Sequence, residues 1–347
     1  MRYPQCLPKN GTIGFVAPSF GCAIEPYHTA FDNAQIKLSD LGYTMDLGPN
    51  CYEGSGVGIS NIPEKCAEEF MEYYCSKEND VLMSCGGGEL MCEILPHIDF
   101  EKIKTADPKW FMGYSDNTNL TYLLATICDV ASVYGPCAAA FGMELWHPAI
   151  EDALGVLEGK VTTLNGYDKW EKESLKNEEN PLLPYNVTEP RVLKNYVGMR
   201  ELGQSESVQM QGRLLGGCMD CLVNLLGTKF DKTIEFIDRY KEDGIIWFLE
   251  ACELNVFSIR RAMWQMEQAG WFEHVKGFLI GRPLCFGQDM MGLDAYQAIL
   301  EVAGRKNVPV IMDADIGHFA PMMPLVVGSM AEVQIKGNDI QIAMKYE

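Results

Sequence analysis

The sequence predicts an α/β protein: a mainly parallel N-terminal sheet with flanking helices, followed by a second α/β domain. Three observations carry this. Short apolar runs alternate with amphipathic stretches from Thr12 to about Tyr134, which demands crossover connections and hence parallel strands. The alternation stops at a stretch rich in Lys, Glu, Asn and Pro, Lys160 to Tyr196, and resumes at Val208. The length of 347 residues exceeds the ~100–200 residues of one ordinary domain. The expected division is therefore an N-terminal α/β domain over 1–155, a connection or insertion over 156–206, and a C-terminal α/β domain over 207–347.

Taken in order, Thr12 to Ala17 reads as a buried strand and Pro26 to Leu41 as a helix that starts on proline and stops at Gly42. Pro63 to Ser76 repeats the helical pattern. Asp80-Val-Leu-Met-Ser84 is the next strand, and it runs into Gly86-Gly87-Gly88 and a short helix over Leu90 to Leu95. Lys109 to Gly113 is a strand, Asn117 to Cys128 a helix, and Ala131 to Tyr134 a strand. In the second part, Gly212-Arg-Leu-Leu-Gly-Gly217 leads into a helix from Asp220 to Leu226. Ile245 to Leu249, Phe278 to Gly281 and Pro309 to Met312 read as strands, with helices over Ser258 to Ala269 and Tyr296 to Ala303. Ala331 to Met344 closes the chain as a hairpin around Gly337-Asn338.

Composition excludes some partners. With 28 Lys+Arg against 48 Asp+Glu the net charge is −20, which repels nucleic acid and anionic membrane surfaces. Thirteen cysteines in a chain this long read as reduced thiols in a cytoplasmic protein. Cys218-Met-Asp-Cys221 lacks a second such pair or a His pair at zinc spacing, so it reads as small apolar side chains on a helix, and no metal or cofactor is expected. Met1 to Asn10 has no long apolar run, and Ile13 to Ala17 is far shorter than a membrane span of ~20 residues.

The sharpest local signal is Gly113-Tyr-Ser115-Asp116-Asn117, between an apolar strand and a helix. A serine on such a turn projects its hydroxyl into a cleft, while the following N–H groups face a developing oxyanion. The second glycine of the usual elbow is here Asn117, which argues against an ordinary α/β-hydrolase. Ser115 or Asp116 capping the helix is the plainer alternative. Of the five histidines, His28, His97, His147, His274 and His318, only His318 stands in a glycine-bearing loop just beyond a strand. Glu250 follows the apolar run Ile245 to Leu249 directly. Ser115, Glu250 and His318 thus each leave a buried strand, in the chain order nucleophile, acid, base. Gly86-Gly87-Gly88 lacks the lysine or G-x-G-x-x-G spacing of a phosphate loop and reads as an oxyanion donor or a tight turn.

Together, the glycine loop, Gly-Tyr-Ser115-Asp, Gly212-Arg-Leu-Leu-Gly-Gly217, Phe-Leu-Glu250 and Gly317-His318 resemble the LD-carboxypeptidase family, which includes microcin C self-immunity peptidases, over nearly the whole chain. The resemblance implies a smaller C-terminal domain carrying Glu and His, an active site in the cleft between the domains, and a homodimer. It implies Ser115 as nucleophile, His318 as general base and acid, and Glu250 as the residue holding the imidazole. It also implies backbone N–H groups of Gly88 and Asp116 as the oxyanion hole, with Gly87 shaping the loop. Cys218 stands where the family has asparagine. Glu250-Ala-Cys-Glu253 and the Lys160 to Tyr196 segment resemble the immunity branch, where an aromatic residue stacks on a nucleotide-like group; Trp170 fits by position, or else anchors its loop by burial.

The leading expectation is a serine peptidase releasing a terminal D-amino acid from an L-centre in cytoplasmic murein peptides. The alternatives are an immunity-type peptidase acting on a peptidyl or aminoacyl nucleotide, and a non-catalytic α/β protein binding a small molecule. An acidic chain needs a local cation for a substrate carboxylate, and Arg213, Arg260 and Arg261 are the candidates.

Overall fold

The computed structural model describes residues 1–346. The chain forms two compact units, Met1–Val161 with Glu173–Asn186, and Thr162–Lys172 with Val187 onward. The stretch expected as a connection is therefore shared between them.

In the first unit the order is β1 (Thr12–Val16), α1 (Tyr27–Asp40), β2 (Thr44–Leu47), α2 (Pro63–Cys75), β3 (Val81–Ser84), α3 (Phe100–Thr105), β4 (Trp110–Gly113), α4 (Thr118–Thr126), β5 (Ser132–Tyr134) and α5 (Pro148–Leu157). Helix α1 buries Ala30, Phe31, Ala34 and Leu38, one stripe at helical spacing. Helix α2 starts on Pro63, where a missing N–H costs nothing, and buries Cys66, Ala67, Phe70 and Tyr74. Edge-on ring pairs Phe15–Phe31 and Phe70–Phe111 tie these helices to β1 and β4. Every residue of α4 is buried.

The five strands are all parallel and lie in the order 2-1-3-4-5. In this doubly wound arrangement the chain turns to opposite sides after β1 and after β3, so a crevice opens outside their carboxyl ends. The segments that leave those ends are Ala17–Phe20 and Cys85–Gly88, and Ser115 follows the adjacent β4.

In the second unit come β6 (Thr163–Asn165), β7 (Lys169–Trp170), β8 (Glu189–Pro190), β9 (Lys194–Val197), β10 (Arg200–Glu201), β11 (Ser207–Cys218), α6 (Met219–Leu225), α7 (Thr233–Arg239), β12 (Ile245–Glu250), α8 (Val256–Gln268), β13 (Val275–Gly281), α9 (Ala295–Ala303), β14 (Pro309–Ala314), β15 (Leu325–Val327), β16 (Met330–Lys336) and β17 (Asp339–Lys345). Nine of these strands make one sheet in the order 10-9-14-13-12-11-16-17-6. Strands β11 to β14 are mutually parallel, and antiparallel strands flank them on both sides. Asn255 caps α8 and Asp294 caps α9 by accepting backbone N–H groups of their first turns. Stacked Trp247 and Trp271 rings, 5.6 Å apart, fill the core beside β12.

Gly212 to Gly217, expected to lead into a helix, forms the second half of the long strand β11, and helix α6 begins directly after it. The terminal hairpin forms as β16 and β17, turning at Gly337-Asn338. Among the described residues no helix is long and apolar enough to cross a membrane.

Candidate active site

The site residues of the first unit gather at the carboxyl ends of β1, β3 and β4. Ser115 has φ of 62°, a left-handed conformation that a serine adopts at a cost and that persists only where its surroundings enforce it. Its N–H donates to the Tyr134 hydroxyl at 3.3 Å, so the end of β5 helps to enforce the turn. Asn117 explains how the turn dispenses with a second glycine. Its Nδ2 donates to Tyr114 O at 3.1 Å and to Gly86 O at 2.9 Å, so the side chain closes the turn and grips the glycine loop. The room comes from Gly113, where a Cβ would lie 2.8 Å from Asn117 Cγ.

The glycine loop needs its glycines for close approach. A Cβ on Gly87 would lie 3.2 Å from Ser115 Oγ, and one on Gly88 would lie 2.2 Å from Ser19 Oγ and 2.7 Å from Gly58 O. Gly87 is thus brought against Ser115, and Gly88 against Ser19 and Gly58. Asp116 is buried, and its Oδ2 accepts from Ser19 Oγ at 2.6 Å and from Met91 N at 2.9 Å. Ser19 carried no sequence signal of its own. Its place just after a parallel strand, at the reversal in strand order, is the clue that could have found it.

In the second unit Glu250 is the last residue of β12 and His318 lies beyond β14. The Glu250 Oε2 and His318 Nδ1 atoms meet at 2.9 Å, with the carboxylate fully buried and the ring 13% exposed. Gly317 makes the meeting possible. Its φ is 101°, and a Cβ there would sit 2.7 Å from Glu250 Oε2. Burial of the ring disfavours the imidazolium, but the Glu250 charge, a hydrogen bond to the Cys252 side chain and the bond to Glu250 outweigh it. The imidazole therefore titrates well above its ordinary range.

The segment after β12 is fixed by Asp220, which accepts Cys252 N at 3.0 Å and Glu253 N at 2.9 Å. Cys218 pairs in register with Glu250, and its thiol is pushed up by contact with Cys221, by burial and by the Glu250 charge. All thirteen cysteines are free thiols.

Trp170, a candidate either to stack on a nucleotide or to anchor its loop, is 4% exposed. Phe319 and Phe286 pack against it at 5.0 and 5.3 Å between ring centroids, the Arg282 guanidinium lies 5.0 Å from its centroid, and its Nε1 donates to Pro190 O. No face of the ring is open to a base in this conformation, so its packing is that of an anchor. The three arginines considered for a substrate carboxylate have other duties. Arg213 is held by Asp243 and Gly328 O, Arg260 bonds Gln297 O and Glu301 on α9, and Arg261 bonds Ser258 on its own helix. One buried cation in this unit was missed in the sequence. Arg282, directly after β13, is 1% exposed and pairs with the buried Asp315 at 2.5 Å, while its Nη1 has no hydrogen-bond partner.

A serine-type carboxypeptidase is the class that this fold and these residues fit. Residues 13–135 match the LD-carboxypeptidase N-terminal domain and residues 211–333 the LD-carboxypeptidase C-terminal domain, and the chain belongs to that family. Among its relatives is the microcin C7 self-immunity protein MccF of Escherichia coli, 25% identical over 98% of this chain and 95% of that protein. A probable murein peptide carboxypeptidase of Bacillus subtilis is also 25% identical, over 94% of this chain and 90% of that protein. The fold matches a solved structure of MccF in complex with aspartyl sulfamoyl adenosine, with TM-score 0.80 and 22% identity over 100% of this chain and 99% of that one.

Proposed function

We propose that the protein hydrolyses the amide bond between an L-centre and a terminal D-amino acid of a murein peptide, through Ser115, His318 and Glu250. Ser115 Oγ attacks the carbonyl carbon as His318 takes the hydroxyl proton. Glu250 engages Nδ1, so Nε2 is the nitrogen that accepts it. The tetrahedral oxyanion is met by the backbone N–H groups of Gly88 and Asp116. Collapse expels the amine of the D-amino acid, which leaves with the proton from His318. Water, deprotonated by the same imidazole, then hydrolyses the acyl ester and restores Ser115.

The observation that carries this reading is the left-handed backbone of Ser115 on a strand-to-helix turn beside the glycine loop. Incubation with a murein tetrapeptide tests it. Release of free D-alanine by the wild type, abolished in Ser115→Ala, is the expected result; no release by the wild type overturns it.

A second substrate reading rests on the likeness to MccF: the same chemistry applied to a peptidyl or aminoacyl nucleotide. Measured side by side, the two kcat/KM values assign the substrate, and the larger by more than ~100-fold names it. The family resemblance also adds a homodimer to the proposal, which light scattering in solution checks.

A further inference from the structure

The carboxylate of Asp116 does more than a helix-capping residue would. Capping would direct its oxygens to N–H groups of its own first turn. Instead Oδ2 takes donors from two other segments, Ser19 Oγ in the loop after β1 and Met91 N just beyond the glycine loop, and Oδ1 takes Asn119 Nδ2. Ser19 is itself fully buried, and its carbonyl accepts Ser60 N at 2.7 Å. The next residue, Phe20, donates its N–H to Gly87 O at 2.8 Å. The Ser19 hydroxyl also fills the place a Gly88 side chain would need. The β1 loop, the segment just beyond the glycine loop and the turn carrying Ser115 are therefore fastened together at a single carboxylate, and the Phe20–Gly87 bond ties the glycine loop to the first of them.

We propose that Ser19 and the Asp116 side chain form a positioning clamp that sets the Gly88 N–H relative to Ser115 and the Asp116 N–H. The role rests on the serine peptidase reading above. Neither side chain touches substrate; both act through the backbone donors, whose value depends on standing at the correct distance from the oxyanion before it forms. Loosening the clamp lets Gly88 drift while leaving the rest of the substrate contacts in place. The loss therefore falls on the transition state and not on ground-state binding.

Ser19→Ala and Asp116→Asn, made in the full chain, test it with the substrate that the wild type turns over. The clamp predicts kcat lower by about 10- to 100-fold in each, KM within about two-fold, and a peptide aldehyde inhibitor weakened by the same factor as kcat. The inhibitor matters because its tetrahedral adduct places an oxyanion where Gly88 and Asp116 would receive it, a response that a purely structural role would not give. If Ser19→Ala keeps wild-type kcat and aldehyde affinity, or if the loss lies in KM alone, the clamp is refuted. Should Asp116→Asn fail to fold, Ser19→Ala decides by itself, since it removes one hydroxyl. Wild-type turnover that Ser115→Ala abolishes and Ser19→Ala spares rejects the clamp and leaves the peptidase reading standing. A wild type with no turnover at all rejects both.

Discussion

The buried carboxylate of Glu250 meets His318 Nδ1 at 2.9 Å, reaching from the end of β12 to a loop beyond β14. Its charge and hydrogen bond act in the same direction on the ring, against the effect of burial. The pair therefore holds a proton more tightly than an isolated imidazole.

A base must be neutral to take a proton, so the acid limb of kcat/KM for the wild type is expected above the ordinary 6.5 of a histidine. Glu250→Gln removes the charge and moves that limb to lower pH, with a fall in kcat of ~10²–10⁴-fold. The same raised value makes the pair's contribution to stability complete below 6.5 and lost as pH rises through the folded value. A pH–rate profile of both proteins checks the first statement, and a limb that stays in place in the variant contradicts it.

Gly317→Ala places a methyl group against Glu250 Oε2, Cβ and Cγ, all within 2.8 Å, on a backbone with φ of 101°. Loss of more than about 1 kcal/mol of stability is expected, with kcat down at least ~10-fold because Glu250 must move. Thermal unfolding and turnover measured together check this; wild-type turnover in the variant shows that the close contact does not matter.

Glu69, on α2, is buried beneath the loops that leave β1 and β2, and its oxygens accept Ala17 N and Asn50 N at 2.8 Å each. Burial pushes its carboxyl up to about 7 despite those bonds. A folded-state value above the unfolded one favours the protonated native state, so this contribution is complete below about 4.5 and lost as pH rises through about 7. The size is on the order of 3 kcal/mol. Glu69→Gln should therefore show a smaller fall in Tm than the wild type across that window, and parallel curves would rule out the assignment.

Trp170→Ala opens a cavity among Phe286, Phe319 and Arg282 and should cost about 3–5 kcal/mol in urea unfolding. With the ring enclosed, any loss of turnover is expected to be equal for murein and nucleotide substrates. A loss confined to the nucleotide substrate would mean that the ring leaves its pocket to stack.

How far the sequence could be read depended on what each segment faces. Val81 to Ser84 is buried at every position and is unmistakable as a strand between turns. Thr44 to Leu47 gave no signal because it is the outer strand of its sheet and has no buried residue. Gly212 to Gly217 has the composition of a loop, yet β16 pairs with Gly212 and Arg213 and β12 with Arg213 to Gly217, and tertiary pairing overrides propensity. The Glu250–His318 contact joins two residues that the sequence placed beyond apolar strands, which is why both drew notice there. The Ser19–Asp116 and Arg282–Asp315 contacts were not legible, because they join residues 97 and 33 positions apart and leave no periodic trace.

The division of the chain also bears on how it is made. The first unit takes its last fourteen residues from 173–186, after the chain has already supplied 162–172 to the second. On a ribosome, Ser115 and its glycine loop emerge long before the polypeptide that completes their unit. A fragment ending at Val161 would be an unfinished body, and expression of the first unit alone calls for residues 173–186 to be grafted back.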